Sequence, residues 1–321
     1  MKPFKTIDEQ INILETRGLI FNDVEMAKIY LLRNNYYNVV NMYSKFFQSE
    51  ENKYIEGTYF ENIKTLHIYD TEIKSLLMKY ILIAEKHFKS IFSYYFAEKY
   101  HNTRSFSYLN IANYNNNKNK PFEIMKTLAL ISRTISSSLN ARVPNSIKHN
   151  YSAHNDVPIW VIVNELSFGS IIKLYKLSDD KTRNNIASEL SKIFKSNINE
   201  HVKLEAKYID KILENILEIR NCVAHDNKLL DFKCKNHPKY LKQLYEGTNL
   251  NPTDSRQHLF DVILSLKIFL PYDDYALFHN SFRKRTINMR KKLNENIVNK
   301  IYDSFGLPES WANNIYKMPQ K

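Results

Sequence analysis

Two long apolar stripes at helical spacing, neither broken by proline or glycine, constrain this chain most. Ile73, Leu76, Leu77, Tyr80, Ile81, Ala84, Phe88, Ile91, Phe92 and Tyr95 recur at one-, three- and four-residue steps, the pattern of a helix that buries a broad face. Leu204, Tyr208, Ile212, Ile216, Ile219 and Val223 repeat it further on. Five glycines and nine prolines in 321 residues leave too little turn chemistry for a sheet with many hairpins. The expected fold class is all-α.

Start and stop signals divide the rest. Thr6-Ile7-Asp8-Glu9 is a capping box that opens a helix through Leu14, stopping near Gly18. Asn22-Asp23 repeats the signal for a second helix, and an aromatic segment from Tyr36-Tyr37 to Phe46-Phe47 follows. Asp70 is placed to cap the helix of the first stripe. Residues 101–120 are polar and rich in asparagine, which reads as an exposed loop and a place for RNA contact. Ile124 to Leu139 is another helix. Pro158 suits a helix's first turn, and the helix it opens is expected to end at Gly169. Ser178-Asp179-Asp180 caps the next helix, carrying Ile186, Leu190 and Ile193. Four or five amphipathic helices between residues 59 and 227 make a bundle. The expected organisation is an N-terminal helical module over 1–55, a bundle over 56–235 and a basic helical region over 236–321.

Net charge is +12, a balance that favours a polyanion, RNA or DNA before an acidic membrane surface. Arg283, Lys284, Arg285, Arg290, Lys291 and Lys292 place six cations in ten residues and are the candidate RNA contacts. Two cysteines exclude a disulfide framework and fit a reducing cytoplasm. The first residues lack the apolar core of a signal peptide, and apolar runs such as Ile159 to Val163 are too short to span a bilayer. A soluble cytoplasmic protein without a membrane partner is expected.

The second stripe ends in Glu218-Ile219-Arg220-Asn221-Cys222-Val223-Ala224-His225-Asp226, with Asp226-Asn227 as its stop signal. Asn221 and His225 are four residues apart and share a helix face. Arg220 lies about 140° around the axis from His225, with a side chain long enough to reach the same ligand. A histidine in the last turn sits in the negative field of the helix end, which favours its protonated form. A guanidinium beside a titrating imidazole suits a phosphodiester. If the first stripe packs here, Glu85 or His87 comes near Arg220. A competing pattern uses the same histidine: Cys222 with His225 and Cys234 with His237 form two Cys-x-x-His pairs of the kind that hold tetrahedral zinc. The first pair falls inside a helix, so no metal is expected.

Arginine, a polar residue and then histidine after four intervening residues resembles the catalytic motif of the HEPN ribonucleases. The opening Lys2-Pro3-Phe4 to Leu14, the Tyr36-Tyr37 to Phe46 segment, Pro158-Ile159-Trp160 with Leu166-Ser167-Phe168-Gly169, Arg220-Asn221 with Ala224-His225, and Gly306-Leu307-Pro308 with Trp311 together resemble the Abi-like family of bacterial abortive-infection proteins, of the AbiD and AbiF kind. The resemblance covers nearly the whole chain. Asn35 stands where a glycine is expected before the tyrosine, and Asn164 precedes Glu165 as a small variation. The resemblance implies an all-α HEPN-type helical bundle with N-terminal and C-terminal helical extensions. It implies a metal-independent, cofactor-free endoribonuclease that halts growth of a phage-infected cell, with Arg220, Asn221 and His225 catalytic. It further implies a homodimer whose two motifs form one site, and a structured noncoding RNA as a partner. The alternative is a non-catalytic protein that holds such an RNA.

Overall fold

A computed structural model describes residues 3–100, 105–114, 121–308 and 318–319. The fold is all-α, with one two-stranded antiparallel ribbon, β1 (Gln48–Glu50) and β2 (Lys53–Tyr54). The Thr6 capping box opens α1 (Ile7–Thr16), and the Asp23 carboxylate caps α2 (Val24–Asn34) by accepting from the Met26 amide. Asn35, where a glycine was expected, ends α2 with φ 62° and ψ 126°, a positive-φ conformation, outside the left-handed helical region, that glycine adopts most readily. A π-helical turn and a 3-10 turn, Ser44–Phe47, then lead to the ribbon.

The axis of the molecule is α3 (Phe60–Tyr100), 41 residues and about 60 Å long at 1.5 Å per residue. This corrects one expectation. Asp70 does not cap a helix; it lies in the interior of α3, fully buried. The helix starts ten residues earlier, and the first stripe is only its middle. Around it follow α4 (Pro121–Asn140), α5 (Ser146–His154), α6 (Ile159–Glu165), α7 (Phe168–Leu177), α8 (Asp180–Ile198) and α9 (Ala206–Ala224). Beyond these come α10 (Lys242–Tyr245), α11 (Leu259–Ser265), α12 (Tyr272–Arg290) and α13 (Glu295–Phe305). Helices α6, α8, α9 and α12 pack along α3. One hydrophobic core runs from Ile11 to Leu307.

The segment from Pro158 also differs from the reading that ended its helix at Gly169. Leu166 is extended, with ψ 140°, and the Ser167 side chain caps a new helix by accepting from the Ser170 amide. Gly169 therefore sits near the start of α7. A Cβ there would lie 3.4 Å from Leu217 of α9, an ordinary contact, so α7 packs against the motif helix at this position without needing a glycine. Among the described residues no helix is long and apolar enough to cross a membrane. Of the 101–120 stretch expected as an exposed loop, residues 105–114 contain two 3-10 turns with Tyr108, Asn113 and Tyr114 buried, while residues 101–104 and 115–120, like Trp311, lie outside the described residues.

Candidate functional site

Helix α9 buries Ile209, Ile212, Leu213, Ile216, Ile219 and Cys222. Tyr208 and Val223 flank that face half-buried, and Leu204 precedes the helix. Burial of one face fixes the rotation of the last turn. It leaves Asn221 and His225 exposed on the outside and Arg220 half-buried beside them.

The helix ends as Asp226-Asn227 suggested. His225 is the C-cap, and Asp226 turns left-handed at φ 52°. The Asn227 amide donates to the Cys222 carbonyl at 2.9 Å and the Asp226 amide to Val223 at 3.1 Å, a Schellman closure. Glycine usually fills the left-handed position. Here Lys74 of α3 holds an aspartate in it, with Nζ 3.0 Å from Asp226 Oδ1 and 3.4 Å from its backbone carbonyl. Lys74 is in turn paired with Asp70 at 2.8 Å, one helical turn back. Asp70 also accepts from the Tyr43 hydroxyl at 2.8 Å and the Leu229 amide at 3.3 Å. Burial, then the Asp70 carboxylate, push the Tyr43 hydroxyl far above the usual phenol range, so it stays a donor. Nearby, His67 Nδ1 is 2.6 Å from the Tyr30 hydroxyl, and burial lowers its pKa.

The three motif side chains contrast with this network. Arg220, Asn221 and His225 make no side-chain hydrogen bond or ion pair among the described residues, and Arg220 Nε is enclosed without a partner. Native proteins pair nearly all buried polar groups. The Arg220 Nε–H is therefore a donor with room for an acceptor from outside the described residues, on the same helix end as the exposed Asn221 and His225. Sequence reasoning took Asp70 only for a cap and missed Lys74. Their signal was a carboxylate and an amine at i, i+4 within an apolar face.

Neither Glu85 nor His87 reaches the motif. Glu85 pairs with Lys89 at 2.8 Å, and His87 bonds the Phe269 carbonyl at 3.0 Å. The stretch of α3 that meets the motif is Asp70–Lys74, and eleven residues to Glu85 is about 17 Å along the axis. The zinc pattern does not converge either. The Cys222 thiol lies 3.6 Å from the Asn227 and Lys228 carbonyls, and that of Cys234 lies 3.8 Å from the Asn215 carbonyl. Burial raises Cys222 to about 11 and Cys234 higher still, against the thiolate that metal binding needs. No group of three or more His, Cys, Asp or Glu side chains among the described residues could hold a metal ion.

The six C-terminal cations do not form one free face. Arg283, Lys284, Arg285 and Arg290 lie on α12, and Lys291 and Lys292 just beyond it. The Phe282, Thr286 and Met289 side of the helix is buried, and the Thr286 hydroxyl bonds Tyr69 of α3 at 2.8 Å. Lys284, Lys291 and Lys292 are exposed, while Arg283, Arg285 and Arg290 are partly covered. Arg285 approaches Glu72 at 3.8 Å.

The family described as Abi-like protein matches residues 29–231, well over half of the chain. The chain belongs to the Abi-like protein family. The matched span of this Abi-like protein runs from within α2 past the end of α9. It takes in Asp70 and Lys74 with Arg220, Asn221, His225 and Asp226. The six C-terminal cations lie outside it, as do the opening segment and Gly306. No curated protein and no solved structure matches the chain.

Proposed function

We propose that this chain is a metal-independent endoribonuclease of the HEPN type, acting in abortive-infection defence as a homodimer. The observation that carries the reading is the set of uncommitted side chains Arg220, Asn221 and His225 on a helix end that Lys74 and Asp70 hold in place. Membership of the Abi-like family supports the defence role.

In the proposed reaction, His225 removes the proton from a ribose 2′-hydroxyl. The freed oxygen attacks the adjacent phosphorus, and the bond to the 5′-oxygen breaks. His225 of a second copy protonates that leaving oxygen. Arg220 stabilises the charge that builds on the phosphate oxygens, and Asn221 orients the imidazole or holds one of those oxygens. The products are a 2′,3′-cyclic phosphate and a 5′-hydroxyl. DNA has no 2′-hydroxyl and is not cut. No step draws on a cofactor.

Purified protein incubated with total RNA tests this, read on a gel beside Arg220→Ala and His225→Ala. Fragments with cyclic phosphate ends from the parent alone are expected, together with growth arrest on induction of the parent alone. Binding without cleavage by any form sinks the enzyme reading and leaves a protein that holds an RNA.

A further inference from the structure

The chain leaving the motif turn builds a second feature that the chemistry above does not use. Lys228, three residues past His225, sends its ammonium to Asp231 at 3.2 Å, and Lys45 of the Ser44–Phe47 turn pairs with the same carboxylate. Both ammonium groups also lie over the Phe46 ring, at 5.3 Å for Lys45 and 5.8 Å for Lys228. Two cations thus share one anion on an aromatic floor. Asp231 is fixed there with φ 63°, its amide donating to Ser304 of α13 at 2.6 Å.

Beside this cluster opens a groove of about 460 Å³, walled by the 44–47 turn, the post-motif loop, His258 and α13. Lys233 and Lys300 enter it from opposite elements, both exposed and neither in an ion pair among the described residues. Asp303 is the other carboxylate in the lining. Three lysines, Lys45, Lys233 and Lys300, therefore face two carboxylates in the lining, and Lys228 adds a fourth ammonium on Asp231. The neighbouring groups register that excess. Burial and then Lys45 depress the Lys228 ammonium, and burial and then Lys233 depress the His258 imidazole. His258 packs tightly on the end of α13, where a Cβ on Gly306 would sit 2.5 Å from His258 Cβ.

We propose that this groove binds phosphates of the RNA strand flanking the one held at Arg220 and His225, with Lys233 and Lys300 as the principal contacts. The inference rests on the RNA reading of the motif. Lys233, which lines the groove, is eight residues past His225 and so within about 29 Å of it, at most 3.6 Å per residue, a span that one strand of several nucleotides can cover. The groove differs from the six cations on and after α12 in being concave and cationic on several elements at once.

The test is fluorescence anisotropy of a labelled single-stranded RNA oligonucleotide across a potassium chloride series. Parent, Lys233→Ala/Lys300→Ala and the control Lys284→Ala/Lys291→Ala are compared, all in the His225→Ala background so that nothing is cut. Thermal melts check folding, which neither exposed pair is expected to disturb. The groove variant should bind at least tenfold more weakly at low salt. Its slope of log affinity against log salt should be shallower by about 1.4, for two phosphates on a single strand. The control should change less in both. Equal affinity and slope for parent and groove variant overturns the proposal, as does an equal loss in the control or a parent that binds no RNA. Cleavage is scored separately with His225 intact. Groove-dependent binding without cutting removes the ribonuclease and keeps the groove, and cutting with groove-independent binding does the reverse.

Discussion

Lys74→Met tests whether the motif turn is held by a buried charge pair. Methionine keeps the unbranched stem and removes only the ammonium. The Lys74 side chain is 7% exposed and that of Asp70 is 0% exposed, with 2.8 Å between their charged atoms. After the change Asp70 keeps its bonds from Tyr43 and Leu229 but has no counter-ion. Removing one member of a buried pair costs about 3–5 kcal/mol, because the remaining charge is stranded. The other arm of the same lysine is different. The Asp226 side chain is 74% exposed, and an ion pair with an exposed partner contributes at most about 1 kcal/mol. Asp226→Asn should therefore cost less than about 1 kcal/mol, and Lys74→Met several times more.

Urea denaturation of the parent and the two variants measures this difference directly. A third variant isolates the cause. In Asp70→Asn/Lys74→Met the amide oxygen still accepts from Tyr43 and Leu229, and no charge is left behind. The double variant should therefore be more stable than Lys74→Met alone. A Lys74→Met protein within about 1 kcal/mol of the parent, or a double variant weaker than the single, would falsify the account of the turn.

Further outcomes follow from the same packing. Burial raises the Asp261 carboxyl to about 6, above about 3.9 in an unfolded chain. The folded state takes up that proton first, so the contribution is full below about pH 4 and is lost as pH rises through about 6. Between pH 7 and pH 5 it is about 1 kcal/mol, and Asp261→Asn should lose that part of the pH dependence in denaturation curves taken at both values. Gly306→Ala should lower the melting temperature, since φ is +69° and the new methyl meets His258; Gly169→Ala, inside α7 with only an ordinary contact to Leu217, should leave it unchanged or raise it. Arg220→Lys keeps the charge and loses the bidentate fork, so RNA cleavage should fall by about 10²–10³ with melting unaltered.

Much of this architecture was legible because burial imposes periodicity. The α9 stripe gave the helix, its end at Asp226-Asn227 and the shared face of Asn221 and His225; the Thr6 cap could be read to the residue, and the Asn22-Asp23 signal marked the start of α2, which Asp23 caps. Local patterns failed where tertiary contacts override them. Asp70 has the chemistry of a cap, but its partners Tyr43, Lys74 and Leu229 come from three parts of the chain. Gly169 looks like a helix stop because that is glycine's common role. Here it sits in the first turn of a new helix that the Ser167 side chain caps, packed near Leu217 of α9, 48 positions away. Counting cations along 283–292 could not reveal that α12 turns its Phe282, Thr286 and Met289 side into α3. The groove was hidden for the same reason, since Lys45, Lys233 and Lys300 are remote in sequence.

The division of labour around α9 bears on why the site has this form. Catalytic groups need fixed positions and free valences at once, and those demands conflict when one residue must meet both. On the proposed ribonuclease reading, different residues meet them. Asp70, Lys74 and Asp226 spend their hydrogen bonds on the backbone turn, so Arg220, Asn221 and His225 are placed without being bonded themselves. The enclosed Nε of Arg220 shows how far this goes: the guanidinium is partly desolvated before any ligand arrives. A phosphate, or a second copy bringing one, would then supply the missing acceptor. By this argument Lys74→Met should loosen the position of His225 and lower kcat, while His225→Ala should leave the stability of the turn untouched.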